Sequence, residues 1–451
     1  MFTKVVVANR GAVAARVLRA LHEMGIKSAA VYSEADYGAP YLEMASETYA
    51  IGAAPARDSY LNQDVLLDVL KRARADGMHP GYGFLSENAA FARRVLDARV
   101  HFIGPSPQWI DAMGHKTRAR EIAAQYGMPV TEGSGVLPAE PAAILAAARA
   151  LGYPVLVKPA GGGGGIGMLP AQDEGELLAV VERSRSMASR GFGSAEVYLE
   201  RLLERPRHVE FQILGDQHGN AAHLFERDCS VQRRNQKVIE EAPGPVLDRS
   251  KVDALADQIA GFVRQMGYDN IGTVEMLMGA DGDFSFLEMN TRLQVEHGVT
   301  EEITGVDLVK SQIRCAAGER LTDILPQKIV VNGHSIQARV YAEDPKNFYP
   351  SPGRLTVFRP PLDKSIRIET GYAEGRDVTP HYDPMIAKVI VHAASRDAAI
   401  ERLVHALDTF DIRGLKTNIP TVLSVLRSDQ FRCGRLHTGI IAEVLAQKKT
   451  A

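Results

Sequence analysis

Residues 273–290 read TVEMLMGADGDFSFLEMN, two apolar alternating runs that flank Asp281-Gly282. Asp-Gly suits a two-residue type I′ loop, so a β-hairpin is expected here. That loop sets Glu275 directly opposite Glu288. Like charges facing each other in a ladder repel, with Cβ atoms about 5 Å apart. The pair makes sense with a divalent cation between them, and hard oxygen ligation of this kind suits Mg²⁺ (or Mn²⁺) with nucleotide phosphates completing its shell. Asn290, two residues beyond Glu288 on the same face, offers a third oxygen. The plain alternative is two exposed glutamates on a wet sheet edge.

The chain continues EMNTRLQVEH, where positions 288, 290, 292, 294 and 296 are all polar and 289, 293 and 295 apolar. A β period is expected to carry Glu288, Asn290, Arg292, Gln294 and Glu296 on one face, types fit to bind a metal or a small anion. Upstream, RDCSVQRRNQKVIEEAP (227–243) gathers Gln232, Arg233, Arg234, Asn235 and Lys237; with Glu240 and Glu241 close by it also reads as a salt-bridge network. A third segment, LVKPAGGGGGIGM (156–168), places Lys158 at the end of an apolar strand and a glycine run after it. Such a run is either a flexible linker or a loop whose backbone N–H groups wrap phosphate beside a lysine.

The elements that must position these groups follow from periodicity. Lys4–Ala8 is a strand, Arg10–Met24 a helix ended by Gly25, SAAVYS a strand and YLNQDVLLDVLKRAR a helix; this βαβα rhythm implies a parallel sheet with covering helices. ANRGAVAAR lacks GxGxxG, so a Rossmann cofactor site is weakly supported. From about 115 to 203 the pattern becomes a small α+β lobe holding the glycine run. Strands dominate after 204, and the tail from 330 has short strands and then the helices RDAAIERLVHALDTF and TNIPTVLSVLRS.

The chain has 451 residues, 45% hydrophobic and 24% charged, with a formal net charge of −3. That length implies two to four subdomains, and the charge balance argues against a general nucleic-acid or membrane-surface binder. Cys229, Cys315 and Cys433 are far apart with no CxxC spacing, which argues against a zinc cluster or disulfide framework and fits a reducing cytoplasm. The N-terminus has no signal-peptide pattern, and no apolar run is long enough for a transmembrane helix.

Seven separated motifs, HPGYGFLSEN (79–88), KPAGGGGGIGM, RHVEFQIL, ERDCSVQRRNQKVIEEAP, EMNTRLQVEH, ARVYAEDP and YDPMIAKVIV, together resemble the biotin carboxylase family of ATP-grasp enzymes. The resemblance runs from about residue 2 to about 440. It implies an α/β chain with a biotin carboxylation domain over 1–446. Within it, a doubly wound α/β domain spans 1–114, an ATP-grasp domain spans 120–317 with its lid at about 131–203, and a mixed α+β domain spans 330–446. It implies ATP as co-substrate and Mg²⁺ (or Mn²⁺) held by Glu275, Glu288 and Asn290. Lys116, Lys158 and the lid glycines Gly161, Gly162, Gly163, Gly164 and Gly165 match phosphate-contacting positions. Glu200, Leu203, His208, Gln232 and Asn235 match positions around the rest of the nucleotide. Lys237, Arg292, Gln294 and the backbone of Val295 match the bicarbonate site. Glu296 matches the base acting on bicarbonate, and Arg339 the guanidinium supporting a biotin enolate. Tyr82 and Glu87 are either close to substrate or fix their loop; His79 and Met168 read as structural.

Some positions depart from the commonest bacterial pattern: Ile166 for a basic residue, Asn235 for histidine, Gly298 for proline and Ala12 for an acidic residue. These resemble biotin carboxylase domains of urea or guanidine carboxylases and some acyl-CoA carboxylases, and they leave open whether the carboxyl acceptor is acetyl-CoA, as in fatty acid synthesis. No Met-Lys-Met motif is present, so biotin is expected on a separate carrier protein, with carboxyltransferase subunits as further partners. A homodimer is implied by resemblance alone. A different ATP-grasp ligase would share Lys158, Glu275 and Glu288 without needing Lys237, Glu296 and Arg339 together. A non-catalytic scaffold subunit would be expected to have lost a metal carboxylate, and a Rossmann oxidoreductase lacks its glycine fingerprint here.

Overall fold

The structure, a computed structural model, describes residues 1–162 and 165–450. The N-terminal part alternates strand and helix as its pattern implies: β1 Lys4–Val7, α1 Gly11–Glu23, β2 Lys27–Tyr32, β3 Glu47–Ala50, α2 Gln63–Ala73, β4 Gly77–His79, α3 Ala89–Asp97 and β5 His101–Phe102. The strands form a parallel sheet in the order β3-β2-β1-β4-β5. Val5 and Val7 pack into one apolar cluster and Val6 into another on the opposite face, so this strand reads as an unbroken apolar run.

Helices α4 Pro107–Gly114 and α5 Lys116–Gln125 lead into a lobe made of α6 Pro141–Leu151, β6 Val155–Pro159, β7 Leu169–Ala171, α7 Glu174–Phe192 and β8 Val197–Arg201. Its antiparallel sheet has β6 at the centre, so Lys158 lies one residue from the end of the central strand, just before the glycine run. The Asp173 side chain caps α7 by accepting from Glu176 N–H, and Gly193 at φ 74 ends the helix.

Strands β9 Arg207–Gly215, β10 Ala221–Arg233 and β11 Gln236–Ala242 follow, then α8 Arg249–Met266, β12 Asn270–Met278, β13 Phe284–Asn290, α9 His297–Thr304, α10 Leu308–Ala316 and β14 His334–Tyr341. The C-terminal part adds β15 Gly353–Arg354, β16 Val357–Arg359, β17 Arg367–Thr370, β18 Asp377–Val378 and β19 Met385–Ala393, and then the helices Arg396–Thr409 and Ile419–Leu426. One antiparallel sheet, β13-β12-β9-β10-β11-β14-β19-β17, runs through the middle and C-terminal parts. The β11–β14 pairing joins them, and it brings Arg339 beside the β10–β11 hairpin.

Two local expectations need correction. Asp281-Gly282 is not a two-residue loop. Asp281 Oδ1 accepts from Asp283 N–H (3.0 Å), Gly279 N–H donates to Asp283 O (3.0 Å) and Gly282 takes φ 79, so the loop is Ala280–Gly282. The odd length slips the register by one, with Met276 opposite Phe286, and an extra residue at Leu287 restores Glu275 opposite Glu288. The other correction concerns residues 288–296. The β period stops at Asn290; residues 291–296 are irregular and Glu296 occupies the N-cap of α9. The Glu87 carboxylate takes Thr291 N–H (3.2 Å), a donor that an extended ladder would need.

Helix α8 seals the sheet face opposite the lobe through Phe211, Val263 and Met276. Phe211→Ala is expected to destabilise by about 3–5 kcal/mol, read as a lower urea midpoint, because a large fully buried ring is lost. Leu96→Ala on the exposed face of α3 should change it by no more than about 0.5 kcal/mol.

Candidate active site

The sheet pairing sets a row of charge across four strands. Glu288 on β13 faces Glu275 on β12, Glu275 faces Glu210 on β9, and Glu210 faces Arg227 on β10. Directly paired residues share a face, so three carboxylates line up where like charges repel. Lys237 answers them from β11: its Nζ donates to Glu275 Oε1 (2.7 Å), Glu296 Oε1 (2.8 Å) and Glu210. Burial opposes its charge, yet the three carboxylates hold its ammonium well above the usual lysine range. The hairpin that presents it turns at Arg234-Asn235, both at positive φ (50 and 64), as a type I′ loop requires.

Glu275 also accepts from Asn290 Nδ2 (2.9 Å) and Gln294 Nε2 (3.0 Å), and His208 Nε2 lies 3.0 Å from its Oε2 outside hydrogen-bond geometry. Burial would raise this carboxyl, but Lys237 and His208 hold it well below the usual range. Glu288 pairs with Lys116 at the start of α5. Arg292 forks to Asn290 Oδ1 (2.7 Å) and Gln294 Oε1 (2.9 Å), while its Nε donates to Glu87 Oε2 (2.7 Å). Glu87 therefore fixes this loop from the N-terminal domain.

Glu296 is fully buried under two cations, Lys237 on one oxygen and Arg339 Nη2 (3.0 Å) on the other. Burial would push its carboxyl up; Lys237, Arg339 and Arg227 outweigh that and hold it far below the usual range. Arg339 Nε donates to Glu240 as well, and burial, against Arg339, pushes the Glu240 carboxyl up. Across the cleft, Lys158 Nζ donates to Glu200 Oε2 (3.0 Å), whose other oxygen accepts from Arg120 and Tyr198, each at 2.9 Å. Complete burial lowers Lys158 despite Glu200.

These groups surround a cavity of about 810 Å³ between the lobe and the large sheet. Tyr82, Lys116, Lys158, Gly161, Gly162, Gly165, Glu200, Leu203, His208, Gln232, Asn235, Lys237, Glu275, Glu288, Asn290, Arg292, Gln294, Val295 and Arg339 all line it. Glu296 sits beneath Lys237 and Arg339 rather than on the wall. Gly163 and Gly164 lie outside the described residues. Gly162 and Gly165 have positive φ, and a Cβ on them would meet Phe192 at 2.3 Å and Asn235 at 2.6 Å, so the loop packs where only glycine fits.

Compared with known proteins, residues 1–110 match the biotin carboxylase N-terminal domain, 115–324 the ATP binding domain of the carbamoyl-phosphate synthase L chain, and 337–443 the biotin carboxylase C-terminal domain. "Biotin carboxylase 2" of Bacillus subtilis is 47% identical over 448 residues, covering 99% of this chain and 100% of that protein. The chain belongs to the biotin carboxylase family. It is, with that family, an ATP-dependent carboxylase of the ligase class. "Biotin carboxylase" of Pseudomonas aeruginosa is 43% identical over 450 residues, covering 100% of this chain and 100% of that one. The biotin carboxylase domain dimer of Hydrogenobacter thermophilus 2-oxoglutarate carboxylase, solved with MgADP, ADP and bicarbonate, superposes at TM-score 0.95, with 43% identity and 98% of each chain covered.

Several residues of this cluster escape the sequence reading, namely Glu210, Arg227 and Arg120, while Glu240 reads only as a member of a salt-bridge network. Glu210 had a visible signal, since His208, Glu210 and Gln212 alternate with Val209, Phe211 and Ile213 in a strand that is buried throughout. Arg227 is fully buried, with its guanidinium on Glu210, Gln212, Thr273 and Thr300.

Two buried histidines set an acid limit. Burial pushes His79 and His297 down to about 3, from an unfolded value near 6.5. Their folded pKa is depressed, so each contributes stability that is full above about 6.5 and is lost as pH falls toward 3. Each should cost about 1.4 kcal/mol per pH unit in that window. Urea unfolding between pH 7 and 5 checks this; His79→Gln should flatten the slope by about one proton's worth.

Proposed function

We propose that the chain carboxylates N1 of biotin held on a separate carrier protein, using ATP and bicarbonate. The observation that supports this reading best is the meeting of Lys237, Glu296 and Arg339, from three separate segments, beside the opposed Glu275 and Glu288. The donor set fits Mg²⁺: two carboxylates and an amide oxygen are hard ligands, and lysine ammoniums already sit on both carboxylates. Glu275, Glu288 and Asn290 would hold the ion, which supplies charge neutralisation for the transferring phosphoryl group.

Lys116, Lys158 and the glycine loop take the nucleotide phosphates, and Glu200, Leu203, His208, Gln232 and Asn235 frame the rest of the nucleotide. Lys237, Arg292, Gln294 and Val295 N–H hold bicarbonate. Glu296 takes its proton, and the bicarbonate oxygen attacks the γ-phosphorus as the bond to ADP breaks. The base needs freeing first. When Lys237 turns to bicarbonate, Glu296 loses its nearest cation and its carboxyl rises toward the ordinary range. Carboxyphosphate then releases CO₂ and phosphate, the phosphate takes the biotin N1 proton, and N1 bonds to the CO₂ carbon. Arg339 supports the oxygen that gains charge on the ureido group, with Tyr82 beside it, and closure of the lobe keeps water from the labile intermediate.

The three parts of the chain are read as 1–114, 120–317 with a lid at about 131–203, and 330–446, within a carboxylation domain over 1–446. The acceptor we propose is acetyl-CoA in fatty acid synthesis, served through a carrier and carboxyltransferase subunits by a homodimer. Urea, guanidine or another acyl-CoA is the second choice, favoured by Ile166, Asn235 and Gly298. The cytoplasm is the proposed compartment, consistent with three free cysteines.

ADP release should require both bicarbonate and biotin in the wild type. Glu296→Gln and Lys237→Ala should each lower it by about 10²-fold or more while ATP still binds. Turnover of ATP that ignores biotin and bicarbonate would overturn the reading.

A further inference from the structure

The anion side of the cavity is built from backbone as well as side chains, and buried groups behind it hold that backbone. His297 Nδ1 lies 2.7 Å from Gln294 O, and Lys388 Nζ lies 2.8 Å from Val295 O. Two successive carbonyls are thus drawn to the protein side of the loop. A carbonyl only accepts, so Nδ1 carries the imidazole proton; the ring is fully buried and its Nε2 has no hydrogen-bond partner. In a trans peptide the C=O and N–H point in opposite directions. Fixing Gln294 O on His297 therefore turns the N–H of Val295 to the opposite side, and Val295 lines the cavity.

We infer that His297 is a positioning residue that aims the Val295 N–H at the bound anion, bicarbonate on the reading proposed above, and that Lys388, through the carbonyl of the following peptide, holds Val295 in place, neither of them touching the anion. Lys388 is fully buried on β19 and is itself anchored on Glu369, which also holds Arg367. The packing that makes this reach possible includes Gly298. A Cβ there would lie 2.5 Å from Ile390 Cδ1, so α9 rests on β19 with the Ile390 side chain filling the space that a larger residue at 298 would take. Neither residue lines the cavity, and Glu301 and Glu369 with Lys388, Arg16 and Arg367 satisfy the surrounding charge.

The two ring nitrogens give a test. Asparagine at 297 places its amide near Nδ1 and glutamine near Nε2, and both are neutral and polar. With melting temperature and circular dichroism showing folded proteins, His297→Gln should raise the bicarbonate KM by about tenfold or more, while His297→Asn stays within about threefold of wild type. The ATP KM should move less than about twofold in both. Lys388→Met, which leaves Arg367 on Glu369, should show the same split between bicarbonate and ATP. Equal bicarbonate KM values for the asparagine and glutamine variants, or ATP and bicarbonate KM values rising together, would overturn the inference. A wild type whose turnover does not depend on bicarbonate would instead sink the bicarbonate reading on which it rests.

Discussion

Three glutamates lie side by side across neighbouring strands, and the remaining chemistry of the site follows from how that row is held. Glu288, Glu275 and Glu210 face one another in register, at separations where paired like charges destabilise a sheet. Ionised carboxylates removed from water are tolerated when cations and hydrogen bonds meet them. Arg227 closes the row at one end, Lys116 meets it at the other, and Lys237 bridges the middle. Strand β11 must stay in place to deliver Lys237. Because β14 pairs with β11, Arg339 follows it into the site. The row therefore dictates how the C-terminal part attaches to the centre of the chain.

The sheet segments were legible wherever the sequence alternated or ran apolar, because those patterns follow from which faces are buried. The Glu275–Glu288 pair was also readable, but for an incomplete reason: a three-residue loop and a bulge at Leu287 compensate each other, and a count of loop residues sees only the sum. The run from Arg292 to Glu296 looked extended, since irregular loops leave no periodic signal and its true partner, Glu87, comes from another domain. Glu210 and Arg227 are hard to read from sequence because charges at the centre of a buried strand make sense only once their cross-strand neighbours are known. Lys237 stood out in its basic cluster, whereas its three carboxylate partners are scattered from 210 to 296.

The glycine loop answers to a second constraint. Its described residues Gly161, Gly162 and Gly165 follow β6 and line the cavity, and at Gly162 and Gly165 a side chain would collide with Phe192 and Asn235. Glycine supplies both the positive φ and the clearance. Ile166, exposed beyond the run, lines the same cavity but adds no charge there, so the lysines carry the positive potential on that side. Lys158 gains its own position from Glu200, which Arg120 and Tyr198 hold from behind.

Partner exchange links these parts. Each lysine of the site is engaged with a carboxylate: Lys116 with Glu288, Lys237 with Glu275 and Glu296, Lys158 with Glu200. A phosphate or bicarbonate that recruits one of these lysines strips a buried carboxylate of its counter-charge, which is costly in a low-dielectric interior. At Glu275 and Glu288 a divalent cation would take over the vacated role, so the metal and the anions favour each other's entry. At Glu296 no replacement charge would arrive, and on the proposed reading the lost compensation would appear as basicity. One lysine shared among three carboxylates can thus connect anion binding to the appearance of a base, with no movement larger than a change of hydrogen-bond partner.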